Sequence, residues 1–292
     1  MSAALTPPPT PRLPPDWQDW LANNVVRGAS DVDMLDAMRK AGFDEQYARV
    51  AISVVRSMTE RVQREAPSTL LQYQPDPIRL PAANRVRAAD RDVGIGFVLQ
   101  DPNVALVTGL LSDKECEELI RLASGKMRRS QVVDRESGQL EVSPVRTSEG
   151  AHFQRGENAL VQRLEQRIAA LTGVPVDHGE PLQVLHYRGG DQYRPHHDYF
   201  DPASSGSQAH VKHGGQRVAT MVIYLNHVEA GGDTGFPELD LSVRPHPGSA
   251  VYFEYCNAAG ELDTRCLHAG TPVERGEKWV VTKWLRQGPY FR

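Results

Sequence analysis

The chain has 292 residues, 24% of them charged and 40% hydrophobic, with a formal net charge of -4. This is the composition of an ordinary globular protein with room for one sizeable domain plus a smaller one, and its slight acidity gives no reason to expect a nucleic-acid partner. No run of about 18 apolar residues occurs, which excludes a membrane-spanning helix, and the amino terminus lacks the apolar stretch of a secretory signal, so a cytoplasmic location with no membrane partner is expected.

Residues 1–15, rich in proline, read as a disordered or polyproline-like tail. From Asp16 the pattern turns helical, and residues 16–65 are expected to form a small helical domain. Asp16 is placed to cap a first helix carrying Trp17, Trp20, Leu21 and Val25, which Gly28 would stop. Ser30 or Asp31 caps a second, with Met34, Leu35 and Met38 on one face and Gly42 at its end. A third runs from about Asp44 to Arg64 with Tyr47, Val50, Ala51, Val54 and Val55. The bundle is read either as a stabilising appendage or as a module that docks a partner, a substrate or a second copy.

Residues 66–92 hold several prolines and little periodicity, and read as a linker or a strap lying on the next domain. The remainder, 93–292, is mainly β with flanking helices. Short strand-like runs fill 93–107. Ser112 and Glu115 have capping-box spacing ahead of an amphipathic helix, and a second helix spans about 158–172. Beyond Pro181 the runs LQVLHY, VATMVIYLN, SAVYF and KWVVTKWL are separated by turn residues, which predicts a sandwich or barrel of short strands.

The densest chemistry lies in HYRGGDQYRPHHDYF, residues 186–200. His196 and Asp198 form an H-x-D pair, and residues two apart on a strand share a face. His197 points to the opposite side and is the weaker ligand candidate. His268, in CLHAGTPVERGEKWVVTKW, is the third ligand needed. Two histidines and one carboxylate leave positions open for a bidentate co-substrate and O2, the pattern of non-haem Fe(II) oxygenases rather than of a closed structural zinc site. Lys278, among strongly apolar neighbours, is placed to meet the far carboxylate of a 2-oxo diacid. The cysteines, Cys116, Cys256 and Cys266, have no zinc-site spacing. A Cys256–Cys266 bridge is conceivable, but reduced thiols suit an intracellular chain better. Six histidines, His152, His178, His210, His213, His227 and His246, receive no role, and the glycine-rich HGG (213–215) and AGGDTG (230–235) read as turns.

LQVLHYRGGDQYRPHHDYF, HGGQRVATMVIYLNHVEAGGDTGFP and HAGTPVERGEKWVVTKW together resemble the catalytic domain of the prolyl 4-hydroxylase family, over about residues 95–290. The resemblance implies a double-stranded β-helix (jelly-roll) with helices supporting one sheet, and Fe(II) on His196, Asp198 and His268. It implies 2-oxoglutarate on Lys278, helped by Tyr187 and Thr234, and a peptide groove lined by Arg146, Tyr193, Arg217 and Trp284. The implied reaction uses O2, with ascorbate as a candidate reductant, and hydroxylates a proline-containing peptide or protein with release of succinate and CO2. Two rivals stand beside it: the same oxygenase acting on another residue or a small molecule, and a metal-bound jelly-roll that binds without turnover.

Overall fold

The computed structural model describes residues 13–26, 29–65, 73–130, 132–133, 140–141 and 145–291. The chain forms two compact units, Met1–Gln72 and Tyr73–Arg292. Residues 1–12 of the proline-rich tail, and Gly28, lie outside the described residues.

The smaller unit has three helices, α1 (Pro15–Val26), α2 (Asp31–Lys40) and α3 (Glu45–Glu65). Pro15 opens α1, where a missing N–H costs no bond, and the Pro14 carbonyl accepts from Trp17 and Gln18. Asp16 thus sits in the first turn instead of capping it. Ser30 caps α2 by accepting from Asp33 N at 3.1 Å, and Asp44 caps α3 by accepting from Tyr47 N at 2.9 Å. Leu21, Met34, Met38, Ala48 and Ile52 form the core, with Trp17 and Trp20 packed against it. Val50 and Val54, among the apolar residues read on α3, are 53% and 47% exposed. Ala48, Ala51, Ile52 and Val55 take the inner face, because two residues on from Ala48 or Ile52 a helix has turned by about 200°.

The larger unit begins β1 (Arg85–Ala88), β2 (Arg91–Gln100), β3 (Asn103–Thr108), α4 (Asp113–Ser124), β4 (Arg128–Arg129), β5 (Val132–Val133), β6 (Leu140–Glu141), β7 (Glu149–Phe153) and α5 (Ala159–Thr172). It continues β8 (Leu182–Tyr187), β9 (Tyr193–His196), α6 (Ser207–Val211), β10 (Arg217–Tyr224), β11 (Ala230–Gly231), β12 (Thr234–Phe236) and β13 (Leu241–Val243). It ends β14 (Ala250–Glu254), β15 (His268–Gly270), β16 (Val273–Arg275) and β17 (Lys278–Arg286). Nine strands form one sheet in the order β1-β2-β3-β14-β10-β17-β8-β7-β4, and four form another in the order β13-β12-β15-β9. This is a jelly-roll, two antiparallel sheets whose strands alternate along the chain. The capping box at Ser112–Glu115 forms as expected, and Asn158 caps α5.

The long sheet is covered twice. Leu119 of α4 and Leu164 and Ile168 of α5 share one core with β8, β10, β14 and β17, and so do Phe236 and Val243 of the short sheet. Strands buried on both faces read as unbroken apolar runs, which is why LQVLHY and SAVYF stood out without alternation. The AGGDTG segment contains β11 and the start of β12 as well as a turn. Gly231 has φ +70°, and a Cβ there would lie 2.3 Å from the Pro272 carbonyl, so only glycine lets β11 meet β16.

Within the 66–92 stretch, residues 66–72 lie outside the described residues, and from Tyr73 onward the chain belongs to the larger unit. It runs as a strap. Arg79 NH1 pairs with buried Glu254 at 3.0 Å, Arg79 N donates to the same carboxylate at 2.9 Å, and Asn103 and Asn257 donate to the Asp76 and Gln74 carbonyls. Cys116, Cys256 and Cys266 are all buried and free, so the conceivable bridge is not made. No helix among the described residues is long and apolar enough to cross a membrane.

Candidate active site

β9 ends on His196 and β15 begins on His268, and the two residues face each other across their ladder. Asp198 lies two positions past His196. One ligand atom from each of the three falls within 4.8 Å of the others, the one such cluster of His, Cys, Asp or Glu among the described residues. His196 Nε2 is 3.7 Å from Asp198 Oδ1, and His268 Nε2 is 3.5 Å from Oδ2.

Both rings are held in one tautomer. His196 Nδ1 lies 2.8 Å from the Arg194 carbonyl and His268 Nδ1 3.1 Å from the Cys266 carbonyl. A carbonyl can only accept, so each Nδ1 carries a hydrogen and each Nε2 is the ring nitrogen left facing Asp198. Burial, reinforced by His268, brings the His196 imidazolium down to about 3, so the ring is neutral at physiological pH. Burial pushes the Asp198 carboxyl up, but His268, His196, Arg217 and the Thr220 hydroxyl outweigh it and hold it at about 2. Two imidazoles and one carboxylate, without a thiolate, fit a divalent iron and leave part of its coordination sphere to other ligands. Tyr193 stacks on His196 with centroids 3.5 Å apart, and Phe253 packs on His268 at 4.6 Å. His197, just past the end of β9, stacks on Tyr199 and donates to the Thr264 carbonyl at 2.9 Å, away from the cluster.

Arg217 is fully engaged beside the triad. Its Nε and NH2 make a bidentate pair with Glu180 at 2.6 and 2.9 Å, its NH1 donates to the Asp198 carbonyl at 3.1 Å, and its guanidinium lies 4.0 Å from the Trp284 ring. Arg286 adds a second cation 3.3 Å from Glu180. Burial raises the Glu180 carboxyl, yet Arg217 and Arg286 hold it below its ordinary range. The guanidinium therefore steadies the backbone at Asp198 while its plane, covered by Trp284, helps form the adjoining wall.

Lys278 opens β17 directly across from Tyr187 of β8. It is 3% exposed, and its ammonium makes no hydrogen bond or ion pair among the described residues. Burial lowers its ammonium to about 8, against a smaller opposing pull from Asp233. The Tyr187 and Tyr224 rings lie 5.6 and 5.9 Å from Nζ, and the Tyr224 hydroxyl donates to Thr234 Oγ1 at 2.8 Å. A Cβ added at Gly270, two residues past His268, would come 4.0 Å from Nζ and 3.7 Å from the Tyr193 side chain. A buried cation with no paired carboxylate among the described residues, flanked by two tyrosine rings and close to the His196–Asp198–His268 cluster, fits the distal carboxylate of a keto diacid.

Arg146 forms a β-bridge with Tyr193, lays its guanidinium 4.9 Å from that ring and donates to Gln183 Oε1 at 2.9 Å. Burial raises the Tyr193 phenol to about 12. The structure thus gathers Tyr193, Arg146, Arg217 and Trp284 around the triad, and Tyr187, Thr234 and Lys278 into the adjoining pocket. Sequence reasoning missed Glu180, Gln183, Thr220, Tyr224 and Tyr255. For Thr220 a signal existed: it is the one small polar residue in the apolar run VATMVIY, and it shares a face of β10 with Tyr224. Glu180 and Gln183 gave none, because their partners lie 37 residues away in the chain.

A family model described as the 2OG-Fe(II) oxygenase superfamily matches residues 182–286, the span from β8 to the end of β17. The chain is 40% identical over 233 residues to the Arabidopsis thaliana protein named Probable prolyl 4-hydroxylase 3, covering 70% of this chain and 79% of the relative. It is likewise 40% identical over 204 residues to Prolyl 4-hydroxylase 5 of the same plant, covering 63% and 68%. Among solved structures it is similar to the 2OG complex of the viral collagen prolyl hydroxylase from Paramecium Bursaria Chlorella virus-1, at 29% identity, 63% and 95% coverage and a TM-score of 0.49.

Proposed function

Because the chain belongs to the prolyl 4-hydroxylase family of 2-oxoglutarate-dependent dioxygenases, we propose that it hydroxylates prolyl residues of a proline-containing peptide or protein. The observation that carries the reading is the pairing of the His196–Asp198–His268 cluster with the uncompensated ammonium of Lys278 in one jelly-roll. Fe(II) with 2-oxoglutarate and O2 supplies the oxidising power, and succinate and CO2 leave as by-products. The protein's own residues do the rest. His196, Asp198 and His268 hold the metal. Lys278 takes the distal carboxylate, with the Tyr187 and Thr234 hydroxyls beside it fixing its orientation. Closely packed aromatic walls, Phe236 and Phe253 behind His268 and Tyr193 over His196, keep bulk water from the reacting centre.

On this reading the substrate peptide lies along Tyr193, Arg146 and Trp284. Trp284 offers an aromatic surface suited to a pyrrolidine ring, while Tyr193, engaged by His196 and the Arg146 guanidinium, holds that wall in place. Ascorbate serves as the external reductant. Relatives named as prolyl 4-hydroxylases at 40% identity support the choice of proline.

The test is succinate formation by the Fe(II)-loaded chain with 2-oxoglutarate, ascorbate and O2, with and without a proline-rich peptide, run beside Asp198→Ala. Peptide-stimulated succinate with a matching gain of about 16 Da on the peptide, by the mass of one inserted oxygen, is expected, and Asp198→Ala should abolish both. Turnover that no proline-containing peptide stimulates would overturn the prolyl assignment, and no turnover under any condition would overturn the oxygenase.

A further inference from the structure

Thr220 sits fully buried in the middle of β10, in an otherwise apolar stretch. A hydroxyl there is costly unless bonded. Its Oγ1 lies 2.7 Å from Asp198 Oδ2 and 2.9 Å from the Tyr255 hydroxyl. Tyr255 is itself buried, and Thr220 is its one side-chain hydrogen-bond partner among the described residues.

Counting hydrogens fixes the direction of both bonds. A ligating carboxylate has no hydrogen to give, so the single hydroxyl hydrogen of Thr220 goes to Asp198. Tyr255 must then donate to the lone pair that Thr220 has left. The result is a two-hydroxyl relay, Tyr255 to Thr220 to Asp198, with every hydrogen committed and none exchangeable for another arrangement. Its two anchors are rigid: Thr220 is in the long sheet between β14 and β17, and the Tyr255 ring is wedged between Tyr199 at 6.0 Å and Phe253 at 5.9 Å.

We infer that Thr220 and Tyr255 are positioning residues for the metal centre: their relay ties up Asp198 Oδ2, fixes the carboxylate plane, and leaves Oδ1 as the single oxygen offered to the cation. The inference rests on the Fe(II) reading given above. It has a chemical purpose there. Three protein donors leave an octahedral ion three positions, and a second carboxylate oxygen would take one that the co-substrates need.

Mn(II) binding to the full chain, read as loss of the free-ion electron paramagnetic resonance signal, tests it without turnover. Thr220→Val should weaken Mn(II) binding by about 10- to 100-fold, the usual effect of removing a group that orients a ligand. Thr220→Ser keeps the hydroxyl and should bind like wild type. Thr220→Val also strands the Tyr255 hydroxyl, so some melting-temperature loss is expected whatever its role. The double variant Thr220→Val/Tyr255→Phe separates the two effects, since it removes the stranded group. Its melting temperature should recover while Mn(II) affinity stays as low as in Thr220→Val alone. Affinity that recovers together with the melting temperature, or that never fell, would overturn the relay. Should wild type bind no Mn(II), or bind it equally well after His196→Ala, the metal-centre reading itself fails and the relay falls with it.

Discussion

Lys278 and Tyr187 stand opposite each other on the β17–β8 ladder, with the ammonium 5.6 Å from the phenol ring. Directly opposed residues share a face of the sheet, so the pair points jointly into the jelly-roll. The chain sets no carboxylate against that ammonium at hydrogen-bonding distance among the described residues, so its counter-charge is the ligand's.

A cation buried this way should cost the apoprotein stability. Its folded-state value of about 8 lies below the ordinary 10.5. The full cost is therefore present below about pH 8, shrinks as the folded protein loses the proton first, and is gone above 10.5. Lys278→Met should raise apoprotein stability by on the order of 2–3 kcal/mol at pH 7, a gain that fades as pH approaches 10.5. Denaturant unfolding at pH 7 and pH 10 checks both halves. The same variant should lose 2-oxoglutarate affinity by about 100-fold or more.

Affinity for 2-oxoglutarate in the wild type should carry the opposite pH signature. The dianion needs the protonated amine, so binding is flat below about pH 8 and weakens above it, by up to tenfold per pH unit. Calorimetric titration with Mn(II) present, from pH 6.5 to 9.5, reads this directly. Lys278→Arg, which stays charged throughout, should flatten the profile even where its affinity is lower.

Gly270 separates Lys278 from Tyr193, and its backbone is ordinary. Gly270→Ala meets only van der Waals contacts and should be tolerated. Gly270→Leu extends into the space beside Nζ and should abolish 2-oxoglutarate binding while Mn(II) binding persists. Equal loss of both would mean that β15 itself had moved.

Glu180 and Arg217 form a buried bidentate pair that no other geometry replaces. Arg217→Lys should destabilise the fold by about 2–4 kcal/mol, because an ammonium cannot meet both oxygens and the Asp198 carbonyl at once. The depressed Glu180 carboxyl contributes stability that is present above its ordinary 4.5 and lost as pH falls. Wild type should thus lose stability below pH 4.5 more steeply than Glu180→Gln, as unfolding at pH 4 and pH 7 will show.

Much of this was legible in the sequence, for reasons that can be named. The H-x-D spacing was legible because residues two apart on extended backbone share a side, and His196 and Asp198 do come together although Asp198 lies in the bend just past β9, with His197 turned away. The ends of β8 and β17 were visible because doubly covered strands are continuous apolar runs. What stayed hidden depends on long-range pairing. Glu180 precedes β8 like any loop acid, and only the fold brings it under Arg217. Thr220 and Tyr255 meet through neighbouring strands whose register no local pattern states. On α3, Val50 and Val54 stay exposed, because valine marks apolarity but not which side of a helix will be covered.

The strap has a consequence for where this protein can be divided. Glu254 is buried next to Tyr255, and Arg79 is the cation that meets it. A fragment starting at residue 93, where strand-like patterning first becomes obvious, would strip Arg79 from that carboxylate and strand a negative charge one residue from the relay that steadies Asp198. A fragment starting at Tyr73 would keep it. A protease nick between Arg79 and Asn84, which severs Arg79 from the strand that follows, should therefore read out at Asp198, although no residue there touches it.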